Sequence, residues 1–548
     1  MIQTGIAIDL GTSGFRVQAL DLDSGAIIAS AISTCHPLPG SNVIDHIHFT
    51  LEAGLETANS FVIQALNRLL EGLNIDLSRV VRTAVCGNPI QLSLFISQDI
   101  EDLAYAGSKK LESLGKSGVV RDACIIKAGI IKELILPEDS EIIIPPCVHM
   151  EVGADALAMI IKTGILERNE TAIVTDFGTN AEMALFHNGV IYTGSTAAGP
   201  AIEGRHISCG TLAVPGAVSD IEPEGGRFRL TVLDERLLPE KGDLISLPEG
   251  ETAEKCGSTP VTGITGTGVI ALISEALENK LISIPQINST DGLLKLTENV
   301  SFNRNDLMEA GKATGAIRTG HLTLCANAGI SPDDIQTACL SGAAGTYLDV
   351  RKAQTLGLVP PLVKTVIQAG NTSLAMARDL VLQPEKTDEM SRLAEKLRDT
   401  YCMFSSSKIF NRVYLLEFSY WTEGMPLNLY RSFLKKYGLP DFNPGVSSPE
   451  IIRTVENQLG ETGSTPVAVV DISCREELTP TGCTGCKACE IKCPQKAIHV
   501  GENQPPVVSV DLSACNGVSC KNCERVCPEK CFSLNGYFQK FAGQTACL

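Results

Sequence analysis

Apolar residues follow the same order at two places along the chain. The first is Ile6-Ala-Ile-Asp9-Leu-Gly11-Thr-Ser-Gly14, which continues into the alternating run 15–21 and the turn Asp23-Ser-Gly25. The second is Ala172-Ile-Val-Thr-Asp176-Phe-Gly178-Thr-Asn180, which continues into the run 181–187 and the turn Asn188-Gly189. Glycine-containing turns between apolar runs are typical of β-hairpins. The pattern predicts one strand–Asp-x-Gly-Thr–strand–turn–strand unit that occurs twice, about 167 positions apart, and therefore an internal duplication.

The remaining elements alternate between helices and strands up to about residue 400. Apolar positions at helical spacing predict a helix over about 51–70, and residues 263–400 are typical of strand–glycine turn–helix units. Within them, Gly263-Ile-Thr-Gly266-Thr-Gly268 is expected to open a helix whose N-terminal amides can face an anion. A less regular stretch follows at 401–470, where Ser448 and Pro449 predict the first turn of a helix. Residues 460–466 have the composition of a linker.

Composition and charge then limit the class of protein. At roughly 150 residues per domain, the 548 residues correspond to three or four domains. The net charge of −18 argues against non-specific nucleic-acid binding, because that needs clustered positive charge. No run of 18 apolar residues predicts a membrane span, and the first residues lack the basic segment of a secretory signal. We therefore expect a cytoplasmic protein with reduced thiols and with neither nucleic acid nor membrane as a partner.

Eleven of the 20 cysteines lie in the last 75 residues. Their spacing is that of a bacterial ferredoxin with two [4Fe–4S] clusters, in which three close cysteines bind one cluster and the fourth binds the other. The two runs are Cys483-x2-Cys486-x2-Cys489-x3-Cys493-Pro494 and Cys515-x4-Cys520-x2-Cys523-x3-Cys527-Pro528. Crossed ligation predicts one site of Cys483, Cys486, Cys489 and Cys527, and another of Cys493, Cys515, Cys520 and Cys523.

Zinc is the alternative occupant of these cysteines. Only His499 lies nearby, and zinc sites of four cysteines seldom repeat the x2 gap, so iron–sulfur clusters are favoured. Cys474, Cys531 and Cys547 are interpreted as spare thiols. The nine cysteines before residue 474 have no ligand spacing and are interpreted as core thiols.

Each duplicated turn carries chemistry suited to a phosphate. Glycine and small hydroxyl residues let backbone N–H groups approach phosphate oxygens, and the neighbouring carboxylates, Asp9 and Asp176, suit a hydrated Mg²⁺. The phosphate-binding residues predicted from the two turns are Gly11, Thr12, Ser13, Gly178, Thr179 and Asn180. Either turn alone is a weak signal, but the pair on matching strand units is much stronger.

This arrangement resembles the actin-like (ASKHA) ATPases, an α/β fold of two lobes shared by sugar kinases, heat-shock 70 chaperones and acetate kinase. The matching elements occur in the order of that family. They are the phosphate loops at 9–13 and 176–180, the connecting segments at 152–158 and 370–375, and the adenosine element at 340–345, in which Gly342 and Gly345 approach the adenosine. A Rossmann site is excluded because its G-x-G-x-x-G spacing is missing, and no Walker A motif occurs.

The segments Thr196–Gly204 and Pro39–Ile47, together with the carboxyl-terminal cysteines, resemble the reductive activators of corrinoid proteins. The resemblance covers nearly the whole chain and is strongest to the members that serve the methylamine methyltransferases of methanogenic archaea. It implies an ATP-dependent reductase that returns inactive Co(II) corrinoid to active Co(I) in methanogenesis. The implied cofactors are two [4Fe–4S] clusters, ATP and Mg²⁺, and the implied partners are the corrinoid methyl carriers and an unidentified electron donor of low potential.

The predicted domains are an ATPase core at 1–400, an irregular connecting domain at 401–470 and an α+β ferredoxin domain at 471–548. Asp155 and Glu182 are weaker candidates for positioning the hydrolytic water than Asp9 and Asp176. Trp421 and Tyr420 are candidates for a docking face, but ordinary core packing is the favoured interpretation. Two other functions remain open: an activator of a radical dehydratase, and an electron carrier that does not hydrolyse ATP.

Overall fold

The computed structural model describes residues 3–104, 113, 115, 118–148, 152–398, 400–441, 447–460, 467–473, 475–534 and 536. The chain forms two compact units, the first made of Met1–Pro145 with Ala468–Leu548 and the second of Pro146–Val467. These bounds differ from the three predicted domains at 1–400, 401–470 and 471–548, and that division stays a prediction. Within the described residues, no helix has the length and apolar character that are needed to cross a membrane.

A seven-stranded sheet forms the centre of the first unit. Its strands are β1 (Thr4–Leu10), β2 (Phe15–Asp21), β3 (Ile27–Ser33), β4 (Val80–Gly87), β5 (Cys124–Lys127), β6 (Glu141–Ile144) and the late strand Ala468–Val470. The late strand lies at one edge beside β3, and the order continues β2, β1, β4, β6, β5. Strand β1 pairs antiparallel with β2 and parallel with β4. All of its residues are buried, as expected for a central strand with both faces covered.

The helices described in the amino-terminal part of the first unit are α1 (Val43–Ala53), α2 (Leu55–Gly72), α3 (Pro89–Phe95) and α4 (Glu101–Ala104). The side chain of Asn42 caps α1, and that of Asn88 caps α3 with Pro89 following it. The single helix predicted over 51–70 is therefore two helices. They separate at Gly54, whose φ of 96° ends α1, because this backbone conformation is open to glycine and costly for other residues.

The second unit contains most of the remaining strands. They are β7 (Ala172–Asp176), β8 (Ala181–His187), β9 (Val190–Thr196), β10 (Ala217–Glu224), β11 (Arg227–Leu233), β12 (Pro239–Ser246), β13 (Glu251–Glu254), β14 (Gly263–Ile264), β15 (Ile282–Ser283), β16 (Gln286–Ile287), β17 (Leu293–Lys295), β18 (Ser301–Asn303), β19 (Thr337–Ser341), β20 (Thr365–Gly370) and β21 (Glu450–Arg453). The main sheet has the order β21-β20-β19-β7-β8-β9, and β10 to β14 form a second sheet.

The main sheets of the two units repeat the same arrangement. Strand β7 ends in Asp176, pairs antiparallel with β8 and parallel with β19. Strand β1 has the same relation to β2 and β4, and Asp9 lies near its end. The predicted duplication of the strand–turn–strand unit is therefore confirmed.

Nine helices are described in the second unit. They are α5 (Ala154–Lys162), α6 (Gly266–Glu278), α7 (Arg304–Ala328), α8 (Gly342–Tyr347), α9 (Val350–Thr355), α10 (Thr372–Leu382), α11 (Lys386–Leu397), α12 (Lys408–Phe418) and α13 (Leu427–Lys436). The predicted helix start at Gly263–Gly268 is confirmed, with Thr265 as the capping residue. The longest of them, α7, begins at a capping box of Asn303 and Asp306 and ends at Gly329.

The stretch 401–470 contains helices that pack on α7, and it contains one clear error of prediction. The helix expected to start at Ser448 and Pro449 is wrong, because residues 450–453 form β21. This strand pairs parallel with β20, from Thr365 opposite Glu450 to Gln368 opposite Arg453. A free sheet edge therefore outweighed the local capping signal. The predicted linker at 460–466 lies largely outside the described residues.

The carboxyl-terminal part of the first unit is small. After β22 (Ala468–Val470) come β23 (Arg475–Leu478), β24 (Ile498–Val500) and β25 (Val508–Asp511), with the short helices α14 (Ala488–Ile491) and α15 (Asn522–Val526). Strand β25 lies between β23 and β24 and is antiparallel to both. Val508, Val510 and Leu512 are buried and provide a compact apolar centre.

Glycines at the start of α6 are required by close packing. A Cβ on Gly266 would lie 1.7 Å from the backbone oxygen of Ile202, and one on Gly268 would lie 2.3 Å from that of Val218. We expect Gly266→Ala to lower the free energy of unfolding by about 1–3 kcal/mol, because backbone must move to admit the methyl group. Urea unfolding measures this difference. Gly118→Ala is the matched control, since no atom lies within 4 Å of its Cβ, and a change there of similar size would contradict the packing argument.

Candidate functional site: two phosphate loops and two cysteine cavities

The first phosphate loop follows β1 in the first unit. Asp9 is buried and lies 3.8 Å from the guanidinium of Arg16, which also donates to the backbone oxygen of Gly14 at 3.0 Å. A Cβ on Gly11 would lie 2.8 Å from that same oxygen. Glycine is therefore needed at position 11 so that the loop can fold back on itself. The sequence analysis did not predict Arg16 as a site residue. The register of the predicted hairpin could have identified it, because Arg16 lies directly opposite Asp9.

Thr12 and Ser13 are buried in the same loop. The side-chain amide of Asn88, at the start of α3, donates to the hydroxyl of Thr12 at 3.0 Å. The structure therefore brings Asp9, Gly11, Thr12 and Ser13 together at one end of the first sheet. The side chain of Asn88, the residue after β4, therefore stabilises this loop.

The second phosphate loop follows β7 in the second unit. The hydroxyl of Ser341 donates to the carboxylate of Asp176 at 2.9 Å. The backbone N–H of Thr179 donates to the carboxylate of Glu203 at 2.8 Å, and the Thr179 hydroxyl contacts the same carboxylate. Asp176, Gly178, Thr179 and Asn180 therefore lie in one turn held by two groups from distant positions. Ser341 and Glu203 were not among the predicted site residues.

Gly342 lies against the second phosphate loop. Its φ is +85°, and a Cβ there would come within 2.4 Å of the Asp176 carboxylate. Gly345, one turn further along α8, packs against Leu340 of β19. The structure therefore places the predicted adenosine element beside Asp176, because β19 runs parallel to β7 and both strands end at the same edge of the sheet.

Three carboxylates influence one another near this loop. Burial raises the pKa of Glu182 well above its ordinary value of 4.5, and the charges of Asp155 and Asp176 raise it further. Asp155 lies in the first turn of α5, and Glu182 lies on β8. A cluster of this kind can bind a divalent cation or hold a proton next to a phosphate group.

The eight predicted ligand cysteines surround two separate cavities in the first unit. One cavity is lined by Cys483, Cys486, Cys489 and Cys527. A second is lined by Cys493, Cys515, Cys520 and Cys523. The fourth cysteine of each run therefore faces the cavity of the other run. This is the crossed grouping expected from the spacing of the two runs.

The two cavities differ in exposure and in their number of thiols. Cys486 in the first cavity is exposed, whereas Cys515 and Cys523 in the second are buried. The first cavity also contains Cys531, whose sulfur lies 3.6 Å from that of Cys527. The sequence analysis interpreted Cys531 as a spare thiol and did not predict that it lines the first cavity. Its position four residues after Cys527 was the only sequence feature that pointed to this location.

Cysteine thiols line both cavities, and thiolates are ligands of iron–sulfur clusters and of zinc. In the described part of the chain, no group of three or more His, Cys, Asp or Glu side chains is placed to hold a metal ion. Cys474 and Cys547, the other spare thiols, lie outside the described residues.

Five of the nine cysteines before residue 474 are buried as predicted for core thiols, and four are not fully buried. Cys35, Cys86, Cys147, Cys325 and Cys339 are buried. Cys209, Cys256 and Cys402 are half-buried. Cys124 is exposed, so its interpretation as a core thiol is wrong. It lies on β5, the strand at the edge of the first sheet, where one side of the strand has no neighbour.

Trp421 is part of the core of the second unit. It is 1% exposed and packs so closely on α7 that a Cβ on Gly311 would lie 2.7 Å from its side chain. The packing interpretation of this residue is therefore confirmed, and a docking face at Trp421 is wrong.

The duplicated sheets and their paired loops define an actin-like ATPase of the ASKHA class. Two family profiles match the chain: "RACo middle region" over residues 4–168 and "C-terminal domain of RACo the ASKHA domain" over residues 170–431. A relative from Methanosarcina barkeri, "[Co(II) methylated amine-specific corrinoid protein] reductase", is 43% identical over 94% of this chain and 95% of its own length. The chain therefore belongs to the RACo family of corrinoid-protein reductases.

Two further comparisons agree with this family. The "Corrinoid activation enzyme RamQ" of Eubacterium limosum is 25% identical over 70% of this chain and 65% of its own length. A solved structure of a "Reductive activator for corrinoid,iron-sulfur protein" has a TM-score of 0.62 at 23% identity. The match covers 76% of this chain and 65% of that protein, and it supports the fold.

The buried carboxylate of Glu182 generates a prediction about stability and pH. The native state holds the Glu182 proton more tightly than the unfolded chain, so this group lowers the free energy of unfolding as pH rises above about 4.5. We expect Glu182→Gln to be close to neutral near pH 4 and increasingly stabilising at higher pH. Urea unfolding at several pH values, without nucleotide or Mg²⁺, measures the difference between variant and wild type.

Glu222→Gln serves as the control for this measurement, because Glu222 is exposed. Its effect is expected to stay within about 0.5 kcal/mol at every pH. A Glu182→Gln effect that does not change with pH would contradict the burial of a proton at this site.

Proposed function

We propose that this protein reduces the inactive Co(II) form of a methylamine-specific corrinoid protein to Co(I), at the expense of ATP. The observation that carries the proposal is the grouping of two four-cysteine cavities on the same compact unit as the first phosphate loop. The corrinoid reductase of Methanosarcina barkeri, which matches over 94% of the chain, supports the choice of substrate. The reaction takes one electron into cobalt, while ATP and water give ADP and phosphate.

The two cavities are proposed to hold one [4Fe–4S] cluster each, in a ferredoxin domain. Cys483, Cys486, Cys489 and Cys527 would bind the first, and Cys493, Cys515, Cys520 and Cys523 the second. Such clusters, when bound, take up and release single electrons at potentials set by their surroundings. Lining residues other than cysteine include Pro480, Val500 and Val508 around the first cavity. These apolar side chains would lower the polarity around the bound group and so influence its potential.

Each of the two phosphate loops is proposed to bind phosphate groups of Mg-ATP. The backbone N–H groups and hydroxyls of the first loop would hold phosphate through Gly11, Thr12 and Ser13. Those of the second loop would do so through Gly178, Thr179 and Asn180. Asp9 and Asp176 would bind Mg²⁺ through water, because Mg²⁺ keeps most of its water ligands and takes one or two carboxylates. Gly342 and Gly345 would leave room for the adenosine.

Coupling to ATP has an energetic reason. The Co(II)/Co(I) couple has a very low potential, and each 59 mV of uphill transfer reduces the equilibrium constant about tenfold for one electron. Nucleotide binding can favour a conformation that binds the Co(II) partner more tightly or that shortens the distance between the electron-donating site and the cobalt. Such a change supplies free energy only if the two conformations bind nucleotide differently.

The proposed setting is methanogenesis from methylamines. The corrinoid methyl carriers would be the partners, and a protein or reductant of low potential would supply electrons. Cysteine ligands require reduced thiols, which agrees with a cytoplasmic location.

The central prediction is a spectroscopic one. Under anaerobic conditions, Co(II) corrinoid protein should convert to Co(I) only when this protein, a reductant of low potential and Mg-ATP are all present. Asp176→Asn should lower the rate about 100-fold, because a carboxylate that holds Mg²⁺ is lost, and Mg²⁺ stabilises the charge that develops at the phosphates. Asp23→Asn, an exposed aspartate in the β2–β3 turn, is the control and should keep the rate.

Two results of this assay would contradict the proposal. Reduction at the full rate without ATP would overturn the coupling. No reduction of any methylamine-specific corrinoid protein would overturn the substrate.

Metal analysis tests the cysteine cavities separately. The purified protein should contain about eight iron and eight sulfide per chain. Cys489→Ser should lower both to about four, because a ligand of the first cavity is removed. Cys531→Ser changes a thiol in the same cavity and should keep about eight, which makes it the matched control. Loss of iron from Cys531→Ser would show instead that Cys531 is a ligand.

A further inference from the structure

The loop around the second cavity is bonded to the ATPase part of the first unit. The backbone N–H of Gly40 donates to the backbone oxygen of Cys515 at 2.8 Å. The Ser519 hydroxyl donates to the carboxylate of Asp45 at 3.0 Å. Two turns further along α1, Glu52 accepts from the ammonium of Lys521 at 2.5 Å. We call this set of contacts, between residues 39–52 and 515–521, the docking seam.

The seam reaches residues that line the second cavity. Cys515, Gly517, Cys520 and Lys521 all line it. A displacement of α1 or of Gly40 therefore acts directly on the walls of this cavity. These bonds are separate from the carboxyl-terminal sheet, whose strands pair among themselves.

Behind the seam lies a buried polar cluster. His46, the residue after Asp45, stacks on His36 with ring centroids 4.0 Å apart. The side-chain amide of Gln91 bonds both rings, with Oε1 3.0 Å from His36 Nε2 and Nε2 2.9 Å from His46 Nδ1. His36, His46 and Gln91 are at most 1% exposed. Rotation of this one amide must therefore break a bond to one of the rings or move both.

The same cluster reaches the first phosphate loop. The side-chain oxygen of Asn88 accepts from the backbone N–H of Gln91, and its amide nitrogen donates to Thr12. A second connection leaves the other end of the loop: the N–H of Phe15 donates to the Ser33 hydroxyl, which donates to the backbone oxygen of Cys35 at 2.8 Å. Two bonded routes therefore run from the phosphate loop to residues 35–46.

We propose that Gln91, His36, His46 and Asp45 form a relay that couples nucleotide at the first phosphate loop to the redox state of the second cysteine cavity. The inference rests on the proposed function. Asp45 and Gln91 are positioning residues in it. A phosphate that accepts a hydrogen bond from Thr12 pulls on Asn88, and close packing transmits the displacement through Gln91 and the stacked rings to Asp45 and Ser519. The wall of the second cavity therefore takes different positions with and without bound nucleotide.

Linkage gives the experiment a quantitative form. If nucleotide changes the ease of reducing the second site, the reduced and oxidised proteins must bind nucleotide with different affinity, by the same factor. The dissociation constant of a non-hydrolysable Mg-ATP analogue is therefore measured anaerobically on the full-length, iron-loaded protein, once oxidised and once reduced. In the wild type we expect a ratio of about fivefold or more between the two states.

Three variants interrupt the relay at different points. Gln91→Met removes both bonds to the imidazoles at nearly constant volume and should bring the ratio close to one. Asp45→Asn and Ser519→Ala weaken the seam near the surface and should each lower the ratio, even if the buried variant does not fold. The matched control is Ser513→Ala, because the Ser513 hydroxyl donates to Asp511 within the carboxyl-terminal segment. It should keep the wild-type ratio.

The outcomes separate this proposal from the function on which it rests. A wild-type ratio of one, or an unchanged ratio in Asp45→Asn and Ser519→Ala, overturns the relay even if Co(II) reduction proceeds. A ratio that falls in these variants but not in Ser513→Ala supports it, even if no corrinoid protein is reduced. Cys520→Ser, which removes a proposed ligand of the second site, should abolish the ratio. A retained ratio in that variant would assign the coupling to the first site and overturn the proposal.

Discussion

Backbone pairing on both sides of one central strand is the constraint on which each unit depends. Strand β1 lies between β2 and β4, and β7 lies between β8 and β19, so the end of each central strand cannot shift. An aspartate lies near that end and is followed by a glycine-containing turn, after which the next strand runs back antiparallel to the central strand. Because the hydrogen bonds of the ladder determine this geometry, the same loop chemistry recurs in two places that share few other residues.

The carboxyl-terminal segment depends on the first unit in a different way. It has a small sheet and few buried apolar residues, and its cysteines line cavities instead of filling a core. A segment of this kind would gain much of its folding free energy from the clusters that we propose for it. Its bonds to residues 39–52 join it to the sheet that carries the first phosphate loop. A protein that couples ATP to electron transfer needs such a physical connection between the two sites.

Local patterns predicted some elements correctly and failed at others for identifiable reasons. The two hairpins and the start of α6 were predictable, because turn glycines and alternating residues act within a few positions. The capping signal at Ser448 failed, because residues 450–453 pair with β20, which lies some 85 positions earlier. Cys124 failed as a core thiol, because an edge strand leaves one side exposed. Arg16, Glu203 and Ser341 were missed, because their partners are defined only once the strands are paired.

The sequence by itself determined the kinds of chemistry present: two Asp-x-Gly-Thr turns and two cysteine runs whose spacing suits thiolate ligands. It also determined the crossed grouping of the eight cysteines, because that follows from chain reach. Only the tertiary structure decided that Cys531 lies beside Cys527, that Glu182 is buried within the electrostatic influence of Asp155 and Asp176, and that Cys515 is bonded to Gly40. These relations join residues far apart in the chain or side chains whose direction depends on packing, and no local pattern encodes them.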